Sequence, residues 1–406
     1  MDFNYLVKII IGIFVLLWGI GCNAIEFNGL HINGFLSQGY LHTNHNDYLA
    51  DTKGGTFDYN EIGLNLGYQL TDSFRLGGQV LSRNLGVDGN NKFTFGYLYG
   101  DYNLNRYIGL RGGKIRIPMG LYNQTRDADM LRTGVFLPNS IYRDEYYTFF
   151  SAFYGAEIYG ELPLGAIGSV EYELFGGQMD EDDESWLVKN NVTRFGATSS
   201  DMTADESYGG ALRWSSPHDE LSLGYSYLSV SSTLFLGGIN VIESATFDPA
   251  KIDPVHILSA EYTWKDIVFA SEYMRRRYIV NADFANNTVV PDPGTTITTS
   301  EGWYFSGIYR YNDLFEFGIA YSEFYQDKND KKGEGARFSW QHEAWLKDLT
   351  LSARFNINDY WLVKAEYHVM DGTAWLPYEG VYGDANSSSN IKQKWNMIAL
   401  KTTFSF

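Results

Sequence analysis

The feature that most constrains this chain is the alternation of apolar and polar residues along many short stretches. Every second residue from Ile62 to Tyr68 is apolar, and Asn65 lies on the other face. The pattern returns in residues 315–321 and 349–355. Successive side chains of an extended strand point to opposite faces, so this period of two predicts strands with one apolar face.

Composition indicates where those strands lie. After residue 24 no apolar run approaches the roughly 20 residues that a transmembrane helix needs, whereas a transmembrane strand needs only about 9 to 11. Aromatic residues make up 17% of the chain, with 42 glycines and only 9 prolines. This composition is typical of membrane barrels with aromatic girdles. The alternative is a soluble all-β protein, which rarely needs so many exposed tyrosines.

Short and long connections alternate along the chain. Short polar turns are predicted at 71–73, 103–106, 163–168, 215–220, 265–266, 312–313 and 358–359. Longer loops rich in Asp, Asn, Gly and Ser are predicted at 42–57, 178–206, 234–253, 281–300, 326–345 and 371–390. Short periplasmic turns and long outer loops are typical of outer-membrane barrels.

Pairing these connections predicts an all-β fold, a transmembrane antiparallel β-barrel of about 16 strands. Closure follows from the membrane, because every backbone N–H and C=O in hydrocarbon needs a partner and an open sheet leaves edges unpaired. A further strand within residues 336–348 would make the total odd, which bacterial single-chain barrels avoid.

The first 24 residues have the pattern of a targeting signal. Residues Ile9 to Ile20 form a continuous apolar run, and small residues follow at Cys22 and Ala24. A run of this length suits a secretory signal peptide. We therefore expect residues 1–24 to be removed and residues 25–406 to form the barrel. The alternative is a lipoprotein signal acylated at Cys22, the only cysteine, although Gly19 stands where such signals have leucine.

One stretch breaks the regular rhythm of strands and turns. Between Arg111 and Gly160 the pattern predicts a strand, a long charged segment from Pro118 to about Tyr154, and a return strand. Long excursions of this kind are uncommon and usually functional. We expect this third long loop to fold into the barrel and narrow the pore.

Charged residues in and near this segment are the candidate pore-lining groups. They are Arg111, Lys114 and Arg116 on the strand and Arg126, Asp127, Asp129 and Arg132 in the loop. Alternation adds Arg75, Arg83, Glu171, Glu173, Arg310, Arg354, Lys364 and Glu366 on other strands. An Arg or Lys facing lipid at the midplane costs roughly 2–4 kcal/mol, which favours the lumen. Bases on the wall opposite acids on the loop would create a transverse field; the alternative is a solvated loop with local ion pairs.

Two stretches, GGKIRIPMGLYNQTRDADMLR and NINDYWLVKAEYHVMDG, resemble Gram-negative outer-membrane porins of the 16-stranded type. The resemblance is to the group that includes phosphate-selective and related substrate-preferring porins. It implies a homotrimer of water-filled barrels, each with its third loop, here about residues 118–154, folded into the lumen. A ladder of lumenal Arg and Lys marks the phosphate-selective members, whereas this chain also has many acids on its lumenal rows.

We therefore expect a porin in the bacterial outer membrane that passes small hydrophilic solutes by passive diffusion without a cofactor or a metal. Its partners would be outer-membrane lipid, lipopolysaccharide and two further copies of the chain. A net charge of −18 argues against nucleic acid. The alternatives are a non-conducting adhesin or receptor, and a barrel-wall hydrolase, for which no G-x-S-x-G or H-E-x-x-H motif is present.

Overall fold

The computed structural model describes residues 25–86, 88–89, 91–179, 185–239, 244–285, 294–335, 338–374, 376 and 391–406. Its strands are β1 (Ile25–Phe27), β2 (Leu30–Thr43), β3 (Tyr59–Thr71), β4 (Phe74–Leu85), β5 (Phe93–Asn105), β6 (Ile108–Arg116), β7 (Ala152–Pro163), β8 (Ser169–Met179), β9 (Ser199–Ser215), β10 (Leu221–Gly237), β11 (Ser244–Trp264), β12 (Ile267–Ala285), β13 (Gly294–Arg310), β14 (Phe315–Tyr325), β15 (Trp345–Asn358), β16 (Trp361–Gly372) and β17 (Lys394–Ser405). The α-helices are α1 (Tyr147–Ser151) and α2 (Trp186–Phe195).

Strands β2 to β17 form a closed antiparallel ring of sixteen, which confirms the predicted barrel. Each strand pairs with the next, and β17 returns to β2 with Thr403 opposite Ser37. The two hydroxyls of that pair lie 2.9 Å apart. The short β1 turns back at Asn28–Gly29 to pair with the beginning of β2. Closure leaves no sheet edge to be hydrated, which is the condition for crossing hydrocarbon.

The two faces of the ring differ in chemistry as the alternation predicted. Large apolar side chains such as Leu212, Leu258 and Ile319 point outward and remain about half exposed. Side chains on the alternate positions, including Arg83 and Lys364, are buried inside. An apolar outer band around a polar interior is the arrangement of a transmembrane barrel. The fold therefore belongs in a bacterial outer membrane.

The seven predicted short turns all join strands in the structure, but several outer loops are shorter than predicted. The predicted loop 234–253 is mostly strand, since β10 extends to Gly237 and β11 starts at Ser244. Strand β11 has 21 residues, whereas β14 has 11. Residues 244–253 of β11 carry polar side chains on both faces and no apolar row, so alternation could not identify that extension. The predicted loop 371–390 lies largely outside the described residues.

Helix α2 lies between β8 and β9 and packs against the segment that follows β6. Ser185 caps its first turn by accepting a hydrogen bond from Val188 N, and Gly196 ends it in the left-handed conformation. The buried Trp186 ring meets the Tyr146 ring edge-on, with 5.5 Å between their centroids. In the described part of the chain, no helix combines the length and apolar character needed to cross a membrane.

Candidate functional site

The segment of residues 117–151 joins β6 to β7 and contacts the barrel wall at many points. Strand β6 ends at Arg116 and β7 begins at Ala152, close to the predicted bounds. The segment contains three short 3-10 turns and helix α1. Its apolar residues Ile117, Val135 and Ile141 are buried. Its charged residues contact side chains on strands around much of the ring.

Asp129 is the centre of one group of contacts, which we call the anchor cluster: Asp129, Arg132, Lys364, Lys401 and Thr403. The ammonium groups of Lys364 and Lys401 lie 3.0 and 3.2 Å from Asp129 Oδ1, and Arg132 lies 3.3 Å from it. Thr403 donates to Oδ2 over 2.6 Å. Lys364 also donates to the backbone carbonyls of Asp129 and Gly134. The cluster therefore ties the segment to β16 through Lys364 and to β17 through Lys401 and Thr403. Arg132 and Asp129 form an ion pair within the segment.

Electrostatics keep the carboxylates of the segment charged. Burial alone would raise the pKa of Asp129, but Lys364 and Lys401 favour the anion, and the pKa lies well below its ordinary value. Burial likewise opposes ionisation of Asp144, but Arg83 and Arg126 outweigh it and lower the pKa of that carboxyl. Both residues therefore stay ionised and paired throughout the physiological pH range.

A second group of contacts joins the segment to β4 and β6. Arg83 on β4 lies 2.5 Å from Asp144, and Arg126 lies 3.6 Å from the same carboxylate. Arg116 at the end of β6 forms an ion pair with Asp127. The acids of the segment thus meet bases of the wall directly. Such contact neutralises most of the charge of each pair and ties the segment to β4 and β6.

The segment also contacts strands far around the ring from β6. Thr133 donates to Glu316 on β14 over 2.7 Å, and β14 is eight strands from β6 in either direction. Arg354 on β15 donates to the carbonyl of Met130 over 2.7 Å. The backbone N–H of Phe136 donates to Glu366 on β16 over 3.1 Å.

Glu272 on β12 binds the beginning of the segment through hydrogen bonds. Its carboxylate accepts hydrogen bonds from Leu121 N at 2.9 Å and from the hydroxyls of Ser259 and Tyr304. Gly120 approaches so closely that a Cβ there would lie 2.6 Å from the Glu272 carboxylate, and its φ is +62°. Only glycine fits both the left-handed backbone and this close approach.

The predicted residues nearer the short turns form a separate group. Arg111 lies 3.0 Å from Glu157 and 3.7 Å from Asp101, which also pairs with Arg75 at 2.7 Å. Glu173 accepts hydrogen bonds from Gln124 of the segment at 3.1 Å.

Three predicted residues remain, namely Glu171, Arg310 and Lys114. Glu171 is exposed and lies opposite Arg213 in the register of β8 and β9. Arg310 is a largely exposed partner of Glu316 at the turn end of β13. Lys114 is buried, with its ammonium 5.2 Å from the centre of the Tyr154 ring. Its strand neighbours Leu98 and Tyr154 are half exposed on the outer face.

Sequence reasoning missed several contact residues. They are Glu61, Asp144, Glu272, Lys401 and Thr403. Alternation places Lys401 and Thr403 on the face opposite the apolar row of the last strand, so a stricter use of that rule would have found them. No sequence signal distinguishes Asp144 from other loop acids, because its partner Arg83 is distant in sequence.

A cavity of about 310 Å³ lies between the segment and the wall formed by β11 to β17. Small side chains such as Ser306, Ala320 and Ser352 line the wall, and Leu131 and Phe136 line the side of the segment. Across the described ranges, no three His, Cys, Asp or Glu side chains are grouped closely enough to hold a metal ion.

The fold is shared with solved outer-membrane proteins, at low sequence identity. The outer membrane channel DcaP of Acinetobacter baumannii is 10% identical with a TM-score of 0.57, over 95% of this chain and 100% of that one. An anion-selective porin from Comamonas acidovorans is 12% identical with a TM-score of 0.54, over 93% and 99%. A trimer form of OmpT, an outer membrane protein of Vibrio cholerae, is 12% identical with a TM-score of 0.51, over 93% and 99%. No family model and no curated protein matches the sequence.

Proposed function

We propose that this protein is a porin through which small hydrophilic solutes diffuse passively across the outer membrane. The observation that carries the proposal is a closed sixteen-stranded ring with a polar, charged interior. Barrels of this strand number leave an aqueous channel rather than a filled core. Among the three solved structures, one is described as a channel and one as a porin, which supports transport rather than catalysis.

We further propose that segment 117–151 crosses the lumen and sets the narrowest part of the pore. Its contacts with Glu316, Glu366 and Lys401 reach strands on the far side of the ring, which supports this path. Pore width and lining charge decide which solutes pass such a channel. Paired lumenal bases do not form the free cationic ladder that a phosphate-selective pore requires, so we do not propose phosphate as the solute.

The assembly we propose is a homotrimer in outer-membrane lipid and lipopolysaccharide. A trimer form of a protein with the same fold supports it. We also propose that residues 1–24, which lie outside the described residues, are a signal peptide. They carry the short apolar run and small residues that secretory signals have.

Planar-bilayer recording of the purified protein tests the proposed function. A porin produces discrete conductance steps, and a trimer produces them in threes. Liposome swelling with sugars of rising size then measures the exclusion limit. A protein that inserts into the bilayer without carrying current is not a porin.

A further inference from the structure

The cavity beside the segment carries an excess of acidic side chains. Its lining includes the carboxylates of Asp144, Glu261, Glu316, Asp348 and Glu366. The cationic groups in the same lining are the guanidinium groups of Arg126, Arg132 and Arg310 and, when protonated, the imidazolium of His368. Two of these guanidinium groups already form ion pairs within the segment, because Arg126 pairs with Asp144 and Arg132 pairs with Asp129.

Glu261 is the least neutralised of these carboxylates. It lies on β11, half buried, and accepts a hydrogen bond from the Tyr122 hydroxyl at 3.1 Å. Among the described residues no Lys, Arg or His lies within ion-pair distance of it. Its negative charge therefore faces the cavity largely uncompensated.

The carboxylates near His368 add to this charge. His368 lies 2.9 Å from Asp348 and 3.2 Å from Glu366, so one imidazole contacts two carboxylates. Even a protonated imidazole leaves one negative charge in that group. Glu316 is the exception, because Arg310 and Arg354 lie 3.4 and 3.9 Å from it.

Unpartnered acceptors mark the same cavity. Asp348 is only 5% exposed, and its Oδ1 has no hydrogen-bond partner in the described structure. Asn139 Oδ1 is buried and equally unpartnered. A buried oxygen without a donor is destabilising, so a ligand that donates a hydrogen bond to it is favoured. Arg132 Nε also lacks a partner, but its guanidinium already pairs with Asp129.

The cavity also offers apolar surface to the body of a solute. Leu131 of the segment is 72% exposed, and Phe136 and Leu137 lie beside it. Met370 and Met397 contribute flexible thioethers from the wall. A small organic ion with an apolar part can therefore keep its charged end near the carboxylates and its body on this surface.

We infer that this cavity selects small organic ammonium ions over carboxylates of the same size and shape. An ammonium ion that passes along this wall supplies positive charge at Glu261 and hydrogen-bond donors at Asp348 and Asn139, which line different parts of the cavity. This inference rests on the proposed porin function and adds the sign and chemical class of the preferred solute. It is opposite in sign to the selectivity of the anion-selective porin from Comamonas acidovorans, which shares the fold.

The test is the reversal potential of the purified protein in a planar bilayer, with benzylammonium chloride and then sodium benzoate in a gradient across it. The two organic ions share a ring and differ in the sign of their charge. Each reversal potential gives the permeability of the organic ion relative to its inorganic counterion. We expect the ratio of benzylammonium to chloride to exceed the ratio of benzoate to sodium. Equal permeability, or a preference for benzoate, would overturn the inference while leaving the porin function intact. The absence of any current would overturn both.

Two variants assign the preference to this cavity. Glu261→Gln keeps the shape of the side chain and should lower the preference for benzylammonium by about two-fold, because one nearby charge is lost. Asp348→Asn should lower it in the same direction and serves if the first variant does not fold. Glu161→Gln is the matched control, since Glu161 is an exposed partner of Arg106 at a short turn. If all three variants retain the wild-type preference, the charge that selects solutes lies elsewhere.

Discussion

Thr403 donates a 2.6 Å hydrogen bond to Asp129, although the two residues are 274 positions apart in the chain. Thr403 lies on the last strand, and Asp129 lies in the segment between β6 and β7. The complete anchor cluster therefore requires β17 to be in its place in the ring. Closure of the barrel and positioning of the segment are thus linked events.

Removing the charge of Asp129 should loosen the segment. Asp129→Asn leaves the buried ammonium groups of Lys364 and Lys401 without their shared carboxylate. Breaking a buried ion pair on one side costs on the order of 3 kcal/mol, because a buried charge is left uncompensated. We expect greater open-channel current noise in single-channel recordings. Asp72→Asn, in an exposed turn, is the control; equal noise in both variants would contradict the anchoring role.

The anchor should resist mild acid. The pKa of Asp129 is lower in the folded protein than its ordinary value of 3.8, because Lys364 and Lys401 overcome the effect of burial. The stabilisation is therefore fully present above that ordinary value and is lost as the pH falls through the lower folded-state value. We expect protease cleavage within the segment to be unchanged from pH 7 down to about pH 4, measured with an acid-tolerant protease. Release of the segment between pH 7 and pH 5 would contradict this assignment.

Gly120 should tolerate no side chain. Its φ is +62°, and a Cβ there would meet the Tyr142 hydroxyl at 2.3 Å and Glu272 at 2.6 Å. Gly120→Ala should displace the beginning of the segment and raise its rate of proteolytic cleavage. Gly54→Ala is the control, because nothing lies within 4 Å of a Cβ at that position. Equal cleavage rates in the two variants would show that the contact with Glu272 does not hold the segment.

The mature chain should begin at Ile25. Intact-mass measurement of protein purified from outer membranes should give the mass of residues 25–406. A mass that includes acylated Cys22 would establish the lipoprotein alternative, and the full mass of the chain would establish that no signal was removed.

The architecture could be predicted because strand pairing in a membrane barrel follows a local pattern. Alternation in stretches such as residues 62–68 fixes which side chains face outward, and the closed ring followed from hydrogen-bond satisfaction. The path of the segment could not be predicted in the same way. Its contacts, such as Arg83 with Asp144, join residues far apart in sequence, and neither residue carries a periodic signal for its partner.

The candidate pore-lining residues rest on the same local pattern. Alternation assigned Lys364 and Glu366 to the inner face, where both contact the segment. Lys114 follows Gly112 and Gly113 near the end of β6, where the φ of Gly113 is +131°. A backbone irregularity of this kind disturbs the alternation, so the pattern of neighbouring residues does not assign a face to Lys114.

The most direct test of the central claim is the single-channel conductance of a variant that lacks residues 124–132. Deleting residues 327–335 removes the same length from an outer loop and is the matched control. If segment 117–151 sets the narrowest part of the pore, the first deletion raises the conductance and the sugar exclusion limit, and the second leaves both unchanged. If both variants conduct like the wild type, the segment is not the constriction.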